Sequence, residues 1–89
     1  MGDFIYYEFR NASAGDQIRV TLDRAANVLL VSESDFRRYR DGQAYHYYGG
    51  LARRSPVVFD VPRAGNWYVV INLGGRTGNI RSNAVIFPR

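Results

Sequence analysis

The sequence predicts an all-β fold, a single-domain antiparallel β-sandwich with about seven strands and one short helix near residues 33–40. Apolar and polar residues alternate through most of the chain with the two-residue period of strands. Gly, Pro, Asn and Asp recur between these runs, as turns require. Short strands at this spacing are typical of sandwiches and small barrels. We therefore expect residues 1–89 to form one domain.

The strands are predicted in order along the chain. An aromatic run at 4–10 opens the fold, and residues 17–23 alternate strictly, as in a half-buried antiparallel strand. Residues 27–32 are almost continuously apolar, so we expect that strand to be buried on both faces. Residues 66–73 place one row of large apolar side chains in the core. The remaining strands are predicted at 44–49, 56–61 and 80–87.

One stretch, SESDFRRYRDG, has the charge layout of a short helix, with acids first and arginines last. Ser32 or Ser34 is the N-cap and Gly42 the stop signal. Phe36 and Tyr39, three residues apart, pack on one side of this helix. We expect the helix to cap one end of the sandwich, with its three arginines in water.

Composition excludes several classes of chemistry. There is no cysteine, so disulfides, thiolate metal sites and cysteine nucleophiles are excluded. No apolar run approaches the roughly 20 residues that span a bilayer, and the first residues do not resemble a signal peptide. The prediction is a cytoplasmic protein without membrane association.

The charge is uneven along the chain. Residues 1–35 carry a net charge of −3 and residues 36–89 carry +7, which together give +4. Every basic residue is an arginine, whose planar guanidinium grips phosphate and carboxylate with paired donors. A basic second part of this kind favours an anionic partner.

Three stretches, AGDQIRVTLDRAANVLLVSESDFRRYRDG, YYGGLARRSPV and GNWYVVINLGGRTGNIR, together resemble the bacterial family of unknown function catalogued as DUF1883. The resemblance implies a jelly-roll-type β-sandwich. Members occur alone and fused to TIR domains, which implies intracellular sensing or defence. AGDQIRVTL and RAGNWYVVI are also similar, less specifically, to the pre-peptidase C-terminal jelly roll. The family has no established activity, so the resemblance transfers no catalytic residues.

Catalytic and metal-binding residues are not predicted. His46 is the only histidine, and no nucleophile motif accompanies it. The glycines of LGGRTGNIR lack the Lys and Ser/Thr of a phosphate-binding loop, and we expect a hairpin there instead. The prediction is a non-enzymatic protein with no cofactor and no metal.

The segment AYHYYGGLARRSP, residues 44–56, is the predicted ligand site. Arginine beside exposed tyrosine can hold a ring-bearing anion by stacking and by charge-assisted hydrogen bonds. Gly49 and Gly50 would let the chain bend so that the arginines return beside the tyrosines. The predicted site residues are Tyr45, Tyr47, Arg53 and Arg54, with Arg37, Arg38 and Arg40 of the helix.

These observations predict a binding or interaction module for an anionic small molecule or a protein partner. Two alternatives remain open. A strand edge could serve protein–protein contacts or homo-oligomerisation, with the basic surface acting only in solubility. The basic and aromatic segment could instead bind single-stranded nucleic acid.

Overall fold

The computed structural model of the protein describes residues 4–76 and 78–89. Within them the chain forms seven strands and one helix, in agreement with the predicted number. The elements in chain order are β1 (Ile5–Ala12), β2 (Gln17–Leu22), β3 (Ala26–Ser32), α1 (Glu33–Arg40), β4 (Tyr48–Ala52), β5 (Val57–Asp60), β6 (Gly65–Asn72) and β7 (Ser82–Phe87).

The strands form two antiparallel sheets, which confirms the predicted all-β sandwich. One sheet has four strands in the order β1-β6-β3-β4, and the other has three in the order β5-β2-β7. Alternate side chains of both sheets meet between them, as the pleat of a strand requires. The buried residues of this core are Ala12, Ile18, Val20, Ala26, Val28, Leu30, Phe59, Val61, Trp67, Val69 and Ile71.

The strand β3 is buried on both faces, as its continuous apolar run predicts. Val28 and Leu30 point into the space between the sheets. Leu29 and Val31 point the other way and pack against Phe36 of α1. The helix therefore forms a third layer over the outer face of the four-stranded sheet.

The position of α1 corrects the expectation that it caps one end of the sandwich. The apolar side of the helix packs against a second, smaller hydrophobic cluster on the outer face of the four-stranded sheet. In this cluster Phe36 stacks on Tyr68 with ring centroids 4.2 Å apart. The N-cap is Ser32, whose Oγ accepts a hydrogen bond from the Asp35 N–H. The helix has only eight residues, and no helix in the described chain is long and apolar enough to cross a membrane.

Two other expectations are corrected by the strand boundaries. The predicted strand at 44–49 begins only at Tyr48, because residues 43–47 run as irregular chain beside the helix. The glycine-rich stretch after β6 is not a hairpin, because β6 and β7 belong to different sheets. That connection crosses from one layer of the sandwich to the other.

Candidate functional site

Three connections meet at one end of the sandwich: residues 23–25, 53–56 and 73–81, of which Thr77 lies outside the described residues. The strand register places them together. Leu22 pairs with Ser82 in one sheet, while β3 begins beside the ends of β4 and β6 in the other. We call the three connections together the arginine end.

The arginine end carries most of the excess positive charge. Five of the twelve arginines lie there against a single carboxylate, so its net charge is +4. The rest of the described chain carries seven arginines and six carboxylates. The five arginines are Arg24, Arg53, Arg54, Arg76 and Arg81, and the carboxylate is Asp23.

A cleft of about 400 Å³ opens at this end. Its charged lining residues are Arg24, Arg53 and Arg76, with no carboxylate among them, and its apolar lining includes Leu51 and Leu73. We call it the larger cleft, in contrast to the smaller arginine-lined cleft described next. A neighbouring cleft of about 510 Å³ shares Leu73 and Arg76 with it and has no other arginine among its described lining residues. The larger cleft concentrates anions, because three positive charges focus their field into one concave surface.

A second cleft, of about 130 Å³, adjoins the larger cleft. It shares Arg24 and Arg53 with the larger cleft and adds Arg54, Ser55 and Asp23. We call it the smaller cleft. The two clefts therefore share two arginines in their lining.

Contacts with the loop between β6 and β7 position Arg24. The Arg24 Nη1 atom donates to the Asn79 carbonyl oxygen at 3.4 Å. It also lies where a side chain at residue 78 would be, since a Cβ built on Gly78 would approach this nitrogen to 2.6 Å. The glycine thus lets the loop between β6 and β7 lie against the Arg24 guanidinium.

The carboxylate of Asp23 has a structural role at this end. Its Oδ1 accepts a hydrogen bond from the Arg81 N–H at 2.9 Å, and its own N–H donates to the Arg81 carbonyl oxygen. Within the described chain, none of the five arginines forms an ion pair. No carboxylate of the described chain therefore neutralises their charges, which can act on an anionic ligand.

An amide network supports the floor of the larger cleft. The Asn72 Oδ1 atom accepts from the Asn27 Nδ2 and from the Gly74 N–H, both at 2.9 Å. Asn72 also donates to the Tyr39 hydroxyl, which links the cleft to the helix layer. Gly74 has φ +66°, a conformation that glycine adopts without strain.

The predicted site residues divide into separate groups. Arg53 and Arg54 lie at the arginine end, whereas Tyr45 and Tyr47 precede β4 at its opposite end. The strand β4 runs straight along β3, so Gly49 and Gly50 make no sharp bend. Six residue steps at about 3.3 Å put roughly 20 Å between Tyr47 and Arg53. The tyrosines and these two arginines cannot hold the same small ligand.

The tyrosines take part in an aromatic cluster on the helix side of the fold. Tyr45 is half-buried, with its ring 5.2 Å from that of Tyr39 and 5.6 Å from that of Tyr47. Burial, with the neighbouring tyrosines, raises the pKa of the Tyr45 hydroxyl. Tyr45 is therefore a packing residue, and Tyr47 alone of this pair is largely exposed.

The helix arginines are already engaged. Arg37 lies 3.7 Å from Glu33, and Arg38 lies 3.0 Å from Asp35. The Arg40 guanidinium lies over the Phe36 ring, 5.1 Å from its centroid. Each helix arginine thus has a partner on its own helix.

A separate depression of about 390 Å³ lies beside Tyr47 and Tyr48, and it includes His46, Asp35 and Arg63. Burial opposes ionisation of the Asp35 carboxyl. Hydrogen bonds from the His46 N–H, the Ser32 hydroxyl and Arg38 outweigh this effect and lower its pKa. Asp35 therefore stays ionised and opposes an anion in this depression.

The His46 ring makes no hydrogen bond to Ser32 or Asp35, which line the same depression and hydrogen-bond to each other. Ser55, the nearest serine along the chain after His46, accepts a hydrogen bond from the Leu22 N–H beyond the far end of β4. Among residues 4–76 and 78–89 there is also no group of three acidic or histidine side chains that could hold a metal ion.

Sequence reasoning missed Arg24 and Arg76, which complete the larger cleft. The order of the strands along the chain could have predicted that Arg24 and Arg76 lie at the same end of the sandwich as Arg53. In an antiparallel sandwich each strand reverses the direction of the chain, so every second connection returns to the same end. The loops after β2, β4 and β6 therefore belong together, and each of them contains arginine.

The fold and the cleft define a class, a small all-β sandwich with an arginine-lined end. The chain belongs to the family described as "Domain of unknown function (DUF1883)", whose model matches residues 3–89. No curated protein and no solved structure matches the chain.

Proposed function

We propose that this protein is a non-enzymatic binding module that holds an anionic ligand at its arginine end. The observation that carries the proposal is the larger cleft, where Arg24, Arg53 and Arg76 meet without a carboxylate among the lining residues. Guanidinium groups donate paired, charge-assisted hydrogen bonds to phosphate or carboxylate.

The distribution of charge supports the same site. Elsewhere in the described chain, six of the seven arginines have a guanidinium close to a carboxylate or a ring. Examples are the Arg10–Glu8 contact of 3.0 Å and the Arg63 guanidinium over Trp67. An arginine with a partner has less to gain from a ligand. Arg53 has neither kind of partner among the described residues and lines both clefts.

The proposal relocates the ligand site that the sequence predicts. Arg53 and Arg54 stay in it, and Arg24 and Arg76 join it. The two tyrosines and the three helix arginines leave it, since none of them lines either cleft. Ring stacking is therefore not part of the recognition we propose, because no aromatic residue lines either cleft.

Calorimetric titration with pyrophosphate in a chloride buffer tests this proposal. The triple variant Arg24→Ala, Arg53→Ala, Arg76→Ala should lose about tenfold in affinity for each guanidinium removed, since a hydrogen bond to a charged group contributes about 1.5–3 kcal/mol. Arg53→Ala alone should lose about tenfold, and it serves as the milder variant.

The matched control removes three arginines from the rest of the surface. The variant Arg10→Ala, Arg19→Ala, Arg37→Ala has the same net charge as the triple variant. It should keep nearly the wild-type affinity at physiological salt, where charges farther away than about 8 Å are screened. Equal losses in the two triple variants, or no binding by the wild type, would contradict the proposal.

A further inference from the structure

The two clefts of the arginine end together form one continuous basic track. Arg24 and Arg53 line both clefts. Arg76 lines only the larger cleft, and Arg54 lines only the smaller one. The order of the arginines along the two linings is therefore Arg76, then the shared pair, then Arg54.

The chemistry of this track is uniform. Its only carboxylate is Asp23, in the smaller cleft, and one oxygen of that carboxylate already accepts the Arg81 N–H. The uncharged lining consists of aliphatic, glycine, serine and asparagine residues. Sequence-tolerant binding of single-stranded nucleic acid depends on aromatic side chains under the bases, and the track has none.

The shape of the track bears on the size of its ligand. A single phosphate can accept the paired donors of only a few guanidinium groups at once. A chain of linked phosphates can engage the groups in succession, because each unit presents acceptor oxygens of its own. Four arginines distributed over two adjoining clefts match an extended anion better than a compact one.

On the basis of the proposed function, we propose that the ligand is a linear chain of phosphates lying across both clefts. One end of the chain binds Arg76 in the larger cleft. The middle contacts Arg24 and Arg53, and the other end reaches Arg54. The protein recognises the repeated phosphate unit and contacts no base.

Chain length provides the first test. Affinities of the wild type are measured by calorimetry for orthophosphate, pyrophosphate, triphosphate and a longer linear polyphosphate, all at one ionic strength. Affinity should rise about tenfold with each further phosphate until the track is filled, because each unit gains charge-assisted hydrogen bonds. None of these ligands carries a nucleobase, so the series measures the contribution of the phosphate groups alone.

Arg54→Ala provides the second test, because Arg54 belongs only to the smaller cleft. The variant should bind triphosphate and polyphosphate about tenfold more weakly and should bind orthophosphate as the wild type does. Arg37→Ala, an exposed arginine on α1, removes the same charge and should change neither affinity.

The outcomes separate this inference from the proposed function. Equal affinity for all chain lengths, with Arg54→Ala unchanged, would overturn the linear ligand while the anion site stands. Tighter binding of a single-stranded oligonucleotide than of a polyphosphate with as many phosphates would also overturn it. Failure of every anion to bind would overturn both proposals.

Discussion

Trp67 shows how one side chain holds the two sheets together. It is only 2% exposed, and its indole N–H donates to the Arg63 carbonyl oxygen at 2.9 Å. The Arg63 guanidinium covers the ring from outside, 4.9 Å from the centroid. The ring is therefore held from three directions: by the core, by the backbone after β5 and by a cation.

Replacing Trp67 with alanine should destabilise the fold by about 3–5 kcal/mol, because a large core cavity and an unpaired carbonyl remain. Chemical unfolding followed by circular dichroism measures the change. Tyr47→Ala is the control, since Tyr47 is 53% exposed and should change stability by about 0.5 kcal/mol or less. Equal midpoints for wild type and Trp67→Ala would show that the ring does not contribute to the core.

Asp35 makes the fold sensitive to acid. Its folded pKa is lowered from the ordinary value of 3.8, so its contribution is complete above that value and is lost as the pH falls through the folded pKa. Asp35→Asn should therefore cost about 1–3 kcal/mol at neutral pH, and the difference from wild type should shrink below the ordinary pKa.

Unfolding by urea at pH 7 and near pH 3 measures this effect. Asp41→Asn is the control, because Asp41 is exposed at the end of the helix. A difference between Asp35→Asn and wild type that stays constant with pH would contradict the argument from the carboxylate charge.

At the scale of elements, the hydroxyl of one serine caps the N-terminus of α1. The sequence offers two serines for this role, and the structure selects Ser32. Its hydroxyl accepts from the Asp35 N–H at 3.3 Å and donates to Asp35 Oδ2 at 3.0 Å. Ser34 lies within the helix, and among the described side chains its hydroxyl hydrogen-bonds with that of Ser32 alone.

Ser32→Ala should lower stability by about 1 kcal/mol, the usual cost of losing an N-cap. Ser34→Ala should be neutral, because alanine is the better helix former at a position inside a helix. Thermal melts of the two variants measure the contrast. A larger loss in Ser34→Ala than in Ser32→Ala would mean that the cap is misassigned.

Strand positions were predictable because apolar periodicity records which face of each strand is buried. The turn residues around β2, β3 and β6 are clear, and these strands begin and end within two residues of the prediction. The start of β4 was not predictable in this way. Residues 44–47 carry the ring-rich composition of a strand, but Tyr45 instead packs toward α1, a contact that no local pattern encodes.

At the scale of the whole molecule, the candidate site was predictable only in part. The sequence directs attention to Arg53 and Arg54 because they are adjacent. Arg24 and Arg76 lie in separate loops, and only the alternation of loops between the two ends brings them near. The sequence divides at residue 35 into an acidic and a basic part, but the folded molecule does not divide its charge at that residue. Arg24, for example, belongs to the acidic part of the sequence and lies at the arginine end.

The concentration of charge at one end predicts a stability effect. Arg53→Ala together with Arg54→Ala should leave the melting temperature unchanged or raise it at low salt, because repulsion within the arginine end decreases. Added salt should remove any such gain by screening. Melts of the double variant at low and high salt measure it. A clearly lower melting temperature would indicate that these side chains support the fold.

The two described ends of the chain lie at opposite ends of the sandwich. Ile5 pairs with Ile71 near the arginine end, whereas the Arg89 N–H donates to Asp16 beyond the other end. A protein attached to a surface through residue 89 would present its arginines outward. Attachment through the first residues would instead bring the support against them. The choice of tether therefore decides whether an immobilised sample reports ligand binding.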